Sequence, residues 1–432
     1  MKELQGAIVV LFCIAAVLPG GASAQVLAFP SAQGFGASAT GGRGGEVYVV
    51  KTLADAGSGS FRDAVSKPNR IVVFAVGGVI KLLSDVAVAS NITIAGQSAP
   101  GDGICLYGRS TSLSNQKNLI IRYMRFREGI QGSKGKCSIN ASGVHNLILD
   151  HCSIEWGRWD CMGLTEDASD ITVQYCIDGQ GVDPQRFGAL IDSATNVTLS
   201  HNLWIHNQSR NPKAKGTIQY INNVVYDWGV TGLVGGHSGA EHQLDAINNY
   251  LIKGPSSGNR AIGEFAATDH VYQIGNYVDL NRDGKLSGRP VTENDFGEAK
   301  DAPTFVAQPA LKPAVPVTVE SAADAFAKVV ATAGDSLHRD GVDKRLIEEV
   351  QSLGAKGAIE KTEADVGGQG EIQGATVATS SARDGIPDEW KLAHHLDPKD
   401  ANLYKATQPS LGGYTYLEEY LNGLAGDEDR KQ

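Results

Sequence analysis

Methionine is nearly absent from this chain, with three in 432 residues, and aromatic residues make up only 7% of it. Beside 52 glycines available for tight turns, that scarcity fits an all-β solenoid. Long apolar runs are missing too: beyond Ala24 nothing is long and apolar enough to cross a bilayer, so no membrane partner is expected. Basic residues are outnumbered, 38 Lys and Arg against 48 Asp and Glu, giving a net charge of −10. A chain with no overall basic face is a poor candidate for nucleic-acid binding. It would meet an anionic ligand through a local cluster, helped by bound cations. Nothing calls for an oligomer, and a monomer is expected.

The first stretch, Met1 to about Ala24, has a lysine near its start, the apolar run IVVLFCIAAVL and the small-residue site ASA before Gln25. This is the pattern of a secretory signal peptide, so residues 1–24 are expected to be removed and the remainder secreted, outside the cell or into a periplasm. Five cysteines follow: Cys105, Cys137, Cys152, Cys161 and Cys176. An odd number leaves at least one thiol unpaired. Cys152 with Cys176, and Cys137 with Cys161, are separated by the same interval, so either pair reads as a disulfide or as a reduced apolar ladder.

That interval recurs along the chain. The segments NLIIRYM from Asn118, NLILDHC from Asn146, DITVQYC from Asp170, NVTLSHN from Asn196, TIQYINN from Thr217, QLDAINN from Gln243 and HVYQIGN from His270 share one layout. Their seventh positions are Met124, Cys152, Cys176, Asn202, Asn223, Asn249 and Asn276. Successive members stand roughly 25 residues apart, a period of the length that marks a solenoid. Each segment has strand-like alternation, and the intervals leave no room for long helices. The chain therefore predicts a right-handed parallel β-helix over residues 25–300, one repeat per coil. Stacked coils would place Asn202, Asn223, Asn249 and Asn276 above one another at about 4.8 Å, as a hydrogen-bonded ladder. His151 and His201, at matching places in their coils, read as stacked structural residues. Ser60 to Ala64 read as the start of a short helix capping the first coil, whose strand edges would otherwise be exposed.

Three cations stand out against the acidic background: Arg210, Lys213 and Lys215, in the loop RNPKAK between two strand-like segments. A solvated basic turn is the plain alternative.

The run GSGSFRDAV, then IVVFAVGGVIKL, NITIAGQSAPGDGI, LDHCSIEW and the RNPKAK loop followed by INN, resembles the pectate lyases of polysaccharide lyase family 1, across roughly Ala28 to Pro290. The resemblance implies a secreted enzyme that cleaves polygalacturonate by β-elimination with Ca²⁺ as cofactor. The family's loop is R-x-P-x-x-R, its first arginine acting as base. Arg210, Asn211 and Pro212 match, which implies Arg210 as the base, while Lys215 replaces the final arginine and loses the planar fork that grips a carboxylate. Lys213 and Lys215 are then substrate contacts, with Arg186 carried over at the place of a substrate-binding lysine, or paired instead with Asp183. The implied calcium ligands are Asp150 and Asp160. Glu166 or Asp167 stands in for an aspartate whose place is taken by Leu164. Trp156, Trp159 and Trp228 offer sugar-stacking faces or pack against loops.

In the elimination, the proton at C5 of a galacturonate leaves and negative charge builds on the adjacent carboxyl group, where cations stabilise the transition state. Calcium, a hard cation with oxygen ligands, suits that place. Arginine is normally charged, so a base role calls for positive neighbours, and activity is expected to rise toward alkaline pH. The other readings are a β-helical hydrolase, which needs paired carboxylates, and a non-catalytic carbohydrate-binding solenoid.

Past the repeats, DLNRDGKLSGR from Asp279 resembles the beginning of an EF-hand loop, but Pro290 stands at position twelve, so a structural loop is expected. Residues 301–320 read as a proline-rich connector. Residues 321–432 read as a small, mostly helical tail, ending in a D-G-x-P-D-x-W unit at Asp384 to Trp390 that resembles calcium-binding tails of secreted lyases.

Overall fold

In the computed structural model, residues 26–297 and 302–427 are described. The signal-peptide reading lies outside them. Among the described residues no helix is long and apolar enough to cross a membrane.

Each repeat contributes one strand to each of three sheets, and the coils stack into a right-handed parallel β-helix. The first sheet has 11 strands, the second 10 and the third 8. Pairing is parallel except where Tyr277–Asp279 meets Arg289–Pro290. Inward residues alternate with outward ones, so Ile94, Ile121, Leu149, Val173 and Leu199 fill the bore.

The repeat's sixth and seventh positions explain the corner between the first and second sheets. Tyr123, His151, Tyr175 and His201 each turn the chain through the left-handed region, with φ of 52°, 52°, 53° and 55°. Outside the corner their rings stack at centroid separations of 4.8, 4.9 and 4.8 Å. Inside it, the Nδ2 of Asn202, Asn223 and Asn249 donates to the next Oδ1 at 3.0, 3.1 and 2.8 Å. Each of those oxygens also accepts the backbone N–H of the preceding asparagine, at 3.1, 2.8 and 3.0 Å. Cys176 joins the column by donating its N–H to Asn202 Oδ1 at 2.8 Å. All five described cysteines are free thiols, which resolves the two options left open by spacing.

The first coil is closed by a single helical turn, Phe61–Ala64, capped by Ser60. Phe61 is fully buried and stacks on Phe74. Residues 26–45 lie across the outside of the first sheet, so close that a Cβ on Gly36 would sit 2.2 Å from the Leu147 carbonyl oxygen.

The connector runs back along this same face. The Leu311 N–H donates to Asp245 at 2.9 Å, and the Val315 carbonyl accepts from Gly34 at 2.9 Å. Two helices, Ala322–Thr332 and Gly341–Gln351, then pack Val329, Leu346 and Val350 onto Leu203, Val224 and Ile252 of the second sheet. Buried Arg125 and Arg127 meet Glu155, Asp335, Asp340 and Asp343 in the same interface. The last helix, Tyr416–Leu424, returns to the first coils, where Leu417 and Leu421 pack on Ile71 and Val73.

Candidate active site

The strand Lys213–Lys215 belongs to the third sheet, with Ala214 buried inward and both lysines half-buried on the outer face. Arg210 lies just before it, at the corner between the second and third sheets. A polar network inside the bore fixes that corner. Asn207 Nδ2 donates to Asn211 Oδ1 at 3.0 Å and to Asp178 Oδ1 at 3.3 Å, while the Tyr220 hydroxyl donates to the Asn211 carbonyl at 2.9 Å. Burial pushes the Asp178 carboxyl well up, as expected for an acid facing the interior.

Asp160 opens the strand Asp160–Thr165 two coils earlier. Arg210 Nη1 donates to both of its oxygens, at 3.0 and 3.1 Å, while the guanidinium rests 4.2 Å above the Phe187 ring of the coil between. Burial pushes the Asp160 carboxyl up to about 7, against the opposing pull of Arg210 and Lys213. The Lys213 ammonium is lowered chiefly by burial, with Glu264 pulling the other way and Arg210 and Lys215 reinforcing. At the far end of the strand Lys215 Nζ reaches Asp192 at 2.7 Å. The outer face of the third sheet thus carries three cations, each with a different carboxylate within its electrostatic reach.

Not every residue singled out in the sequence arrives here. Arg186 lies one residue before Phe187 and pairs with Asp183 at 3.2 Å, the alternative left open for it. Trp159, beside Asp160, is 38% exposed, whereas Trp156 and Trp228 are fully buried. Asp150, expected as a calcium ligand, lies instead on the outer face of the first sheet. There it takes 2.7 Å and 2.8 Å hydrogen bonds from Arg122 and Gln174, and is fully buried. Glu166 and Asp167 occupy an exposed turn at the opposite end of the strand that Asp160 opens. Six residues of extended chain separate Glu166 from Asp160 by roughly 20 Å. The structure does not bring Asp150, Asp160 and either Glu166 or Asp167 together at one point. Among the described residues no three His, Cys, Asp or Glu side chains form a group able to hold a metal ion.

The two other calcium-like sequences are also engaged internally. Asp279 accepts the N–H groups of Asn281 and Ser287, as expected of a structural loop. In the D-G-x-P-D-x-W unit, buried Asp384 pairs with Lys391 at 2.7 Å, and Asp388 is bonded by Ser381.

Phe187, Asp192, Glu264 and the Asp178–Asn207–Asn211 network were not singled out in the sequence. One signal was available for Asp192, which precedes Lys215 by close to the length of one coil.

No protein-family profile matches the chain. It is 44% identical over 402 residues to the probable pectate lyase C of Neosartorya fischeri, a match covering 92% of this chain and 94% of that protein. It is 41% identical to the protein of the same description from Emericella nidulans, over 92% and 93% of the two chains. In fold it is similar to the thermostable pectate lyase PL 47, with a TM-score of 0.52 at 16% identity, covering 72% of this chain and 98% of that one. On the strength of relatives this similar over nearly the whole of its length, the chain belongs to the pectate lyase family of enzymes.

Proposed function

We propose that the protein is a secreted pectate lyase that cleaves α-1,4-linked polygalacturonate by β-elimination, leaving 4,5-unsaturated oligogalacturonides, with Arg210 as the base. The observation that carries this reading is the clustering of Arg210, Lys213 and Lys215 on one exposed sheet face in a protein that is otherwise acidic. A polyanion is attracted to such a cluster of cations.

In this reading the substrate carboxylate takes over a cation from the carboxylates now holding it. Arg210, released from Asp160 and having given up a proton to solvent at alkaline pH, removes the C5 proton as the neutral guanidine and becomes guanidinium. The electron pair left at C5 becomes the C4–C5 double bond as the C4–O4 bond breaks, and O4 leaves with a proton from solvent. Lys213 and Lys215 face the charge that builds on the carboxyl group, where fixed cations contribute more in the transition state than in the ground state. The Phe187 ring and the Asn207–Asn211 network hold Arg210 in place during transfer.

Calcium is implied by the family resemblance, but the implied ligands lie apart: Asp150 is held by Arg122 on the first sheet, Asp160 by Arg210, and Glu166 and Asp167 stand in the turn beyond the far end of the strand that Asp160 opens. A hydrolase would need two carboxylates free to face the substrate, whereas Asp160 and Asp192 are each held by a cation of the cluster and Asp178 is buried in the bore.

The test is to incubate the protein with polygalacturonate at alkaline pH, with calcium or with chelator, and to follow the ultraviolet absorbance of the unsaturated product. A rise that vanishes in Arg210→Ala is expected. Saturated reducing ends without that absorbance would overturn the proposal in favour of hydrolysis.

A further inference from the structure

A second arginine, Arg260, opens a third-sheet strand two coils beyond the one that Arg210 precedes. Lys213 pairs with Val234, and Val234 with Gly263. Three residues before each of these stand Arg210, Thr231 and Arg260, and Thr231 pairs directly with Arg260. Arg210 itself lies before the paired residues, and the Asn211 N–H donates to the Gly232 carbonyl at 3.1 Å, so the two arginines share one end of the third sheet, two coils apart. Two coil steps put the two columns roughly 10 Å apart.

Arg260 faces an open depression of about 1250 Å³, lined also by Val230, His237, Asn259, Glu264 and Phe296. The carboxylates around this depression already have partners. Glu264 accepts the Thr231 hydroxyl at 3.1 Å, and Asp295 is gripped by both terminal nitrogens of Arg289, at 2.8 and 2.7 Å. Arg260 makes no hydrogen bond or ion pair among the described residues. Its stem nevertheless lies against the sheet, because residue 263 is glycine: a Cβ there would come within 2.4 Å of Arg260 Cδ. An arginine laid flat by a glycine, with its fork unengaged, suits a planar carboxylate.

We infer that this depression is a binding subsite for a further uronate residue of the polysaccharide, with Arg260 receiving its carboxylate. The chain then runs along the stack of coils, from the Arg210 corner past Thr231 to Arg260. The inference rests on the polygalacturonate reading above for the identity of the ligand. It adds a residue that binds substrate without taking part in the proton transfer, so Arg260 governs affinity and leaves turnover alone.

The experiment compares the full protein with Arg260→Ala and Arg260→Lys, using circular dichroism to verify folding. On polygalacturonate, Arg260→Ala should raise KM about tenfold at unchanged kcat, and Arg260→Lys by less. On highly methyl-esterified pectin, which lacks the carboxylate, neither variant should differ from the parent. An unchanged KM, or a fall in kcat without a change in KM, overturns the inference. Affinity electrophoresis in gels containing polygalacturonate supplies a readout independent of catalysis. Should the parent form no unsaturated product while Arg260→Ala is still retarded less than the parent, the subsite stands and the lyase reading falls. If the two are also retarded equally, both fall.

Discussion

One nitrogen of Arg210 bridges both oxygens of Asp160, across an intervening coil whose Phe187 ring lies beneath the guanidinium. The pair sets the resting state of the basic face: its foremost cation is held by a protein carboxylate.

Removing the cation should abolish turnover without disturbing the fold. Arg210→Ala leaves Phe187 and the Asn207 network in place, so circular dichroism should be unchanged. With Arg210 as the base proposed above, the loss of that group lowers kcat by about 10²–10⁴. Arg210→Lys keeps the charge but loses the planar guanidinium that rests on the Phe187 ring, and should recover little of that loss.

Asp160 provides a pH test. Its folded value of about 7 lies above its ordinary 3.8, so between these values the folded chain holds a proton that the unfolded chain has released. Folding stability from this group is present at low pH and is lost as pH rises through that window. Asp160→Asn cannot titrate. The unfolding free energy of the parent minus that of the variant should therefore decline from about pH 4 to about pH 7 in denaturant titrations, and level off above. A flat difference across the window would rule out titration of Asp160 there.

Lys215 and Trp159 mark opposite ends of the face, and both are expected to act on binding. Lys215→Ala frees Asp192 to repel a polyanion and should raise KM about tenfold, an effect that shrinks at high salt. Trp159→Ala removes an exposed ring next to Asp160 and should raise KM several-fold without salt dependence. Initial-rate kinetics at two ionic strengths separate them.

The asparagine ladder makes a prediction about stability alone. Asn223→Leu leaves the Asn202 backbone N–H without its acceptor in the bore, while the Asn202 side-chain amide keeps only its bond to the Val173 carbonyl, a cost of about 1–3 kcal/mol. Equilibrium unfolding should show that loss, with KM unaffected in the protein that remains folded.

The bore of the solenoid was legible because it is periodic. Asn202 through Asn276 recur at one point per coil, and their spacing alone assigns their column and their partners. The basic strand was legible as a departure from an acidic background. Asp150 was not, although its place in the repeat is plain. Periodicity assigns a residue to a column but says nothing of what lies over that column. Here the covering pieces are Phe29 and Asp427, the latter 305 residues away from the Arg122 that links it to Asp150. The Asp160–Arg210 pair escaped for a related reason. The loops between the second and third sheets differ in length, so counting from the ladder does not give the register beyond that corner.

The tail has a consequence for how the molecule comes apart. A stack of coils with contacts only between neighbours loosens from its ends, each terminal unit opening at its own modest free energy. In this chain the segment leaving the last coil crosses the first sheet to bond Gly34, and the final helix packs on Ile71 and Val73 of the earliest coils. Opening either end first requires detaching that return segment. Amide hydrogen exchange should therefore show no gradient of protection from the outer coils inward; both ends and the middle should exchange as one cooperative unit. The face that carries Arg210 then keeps its geometry for as long as the whole stack does.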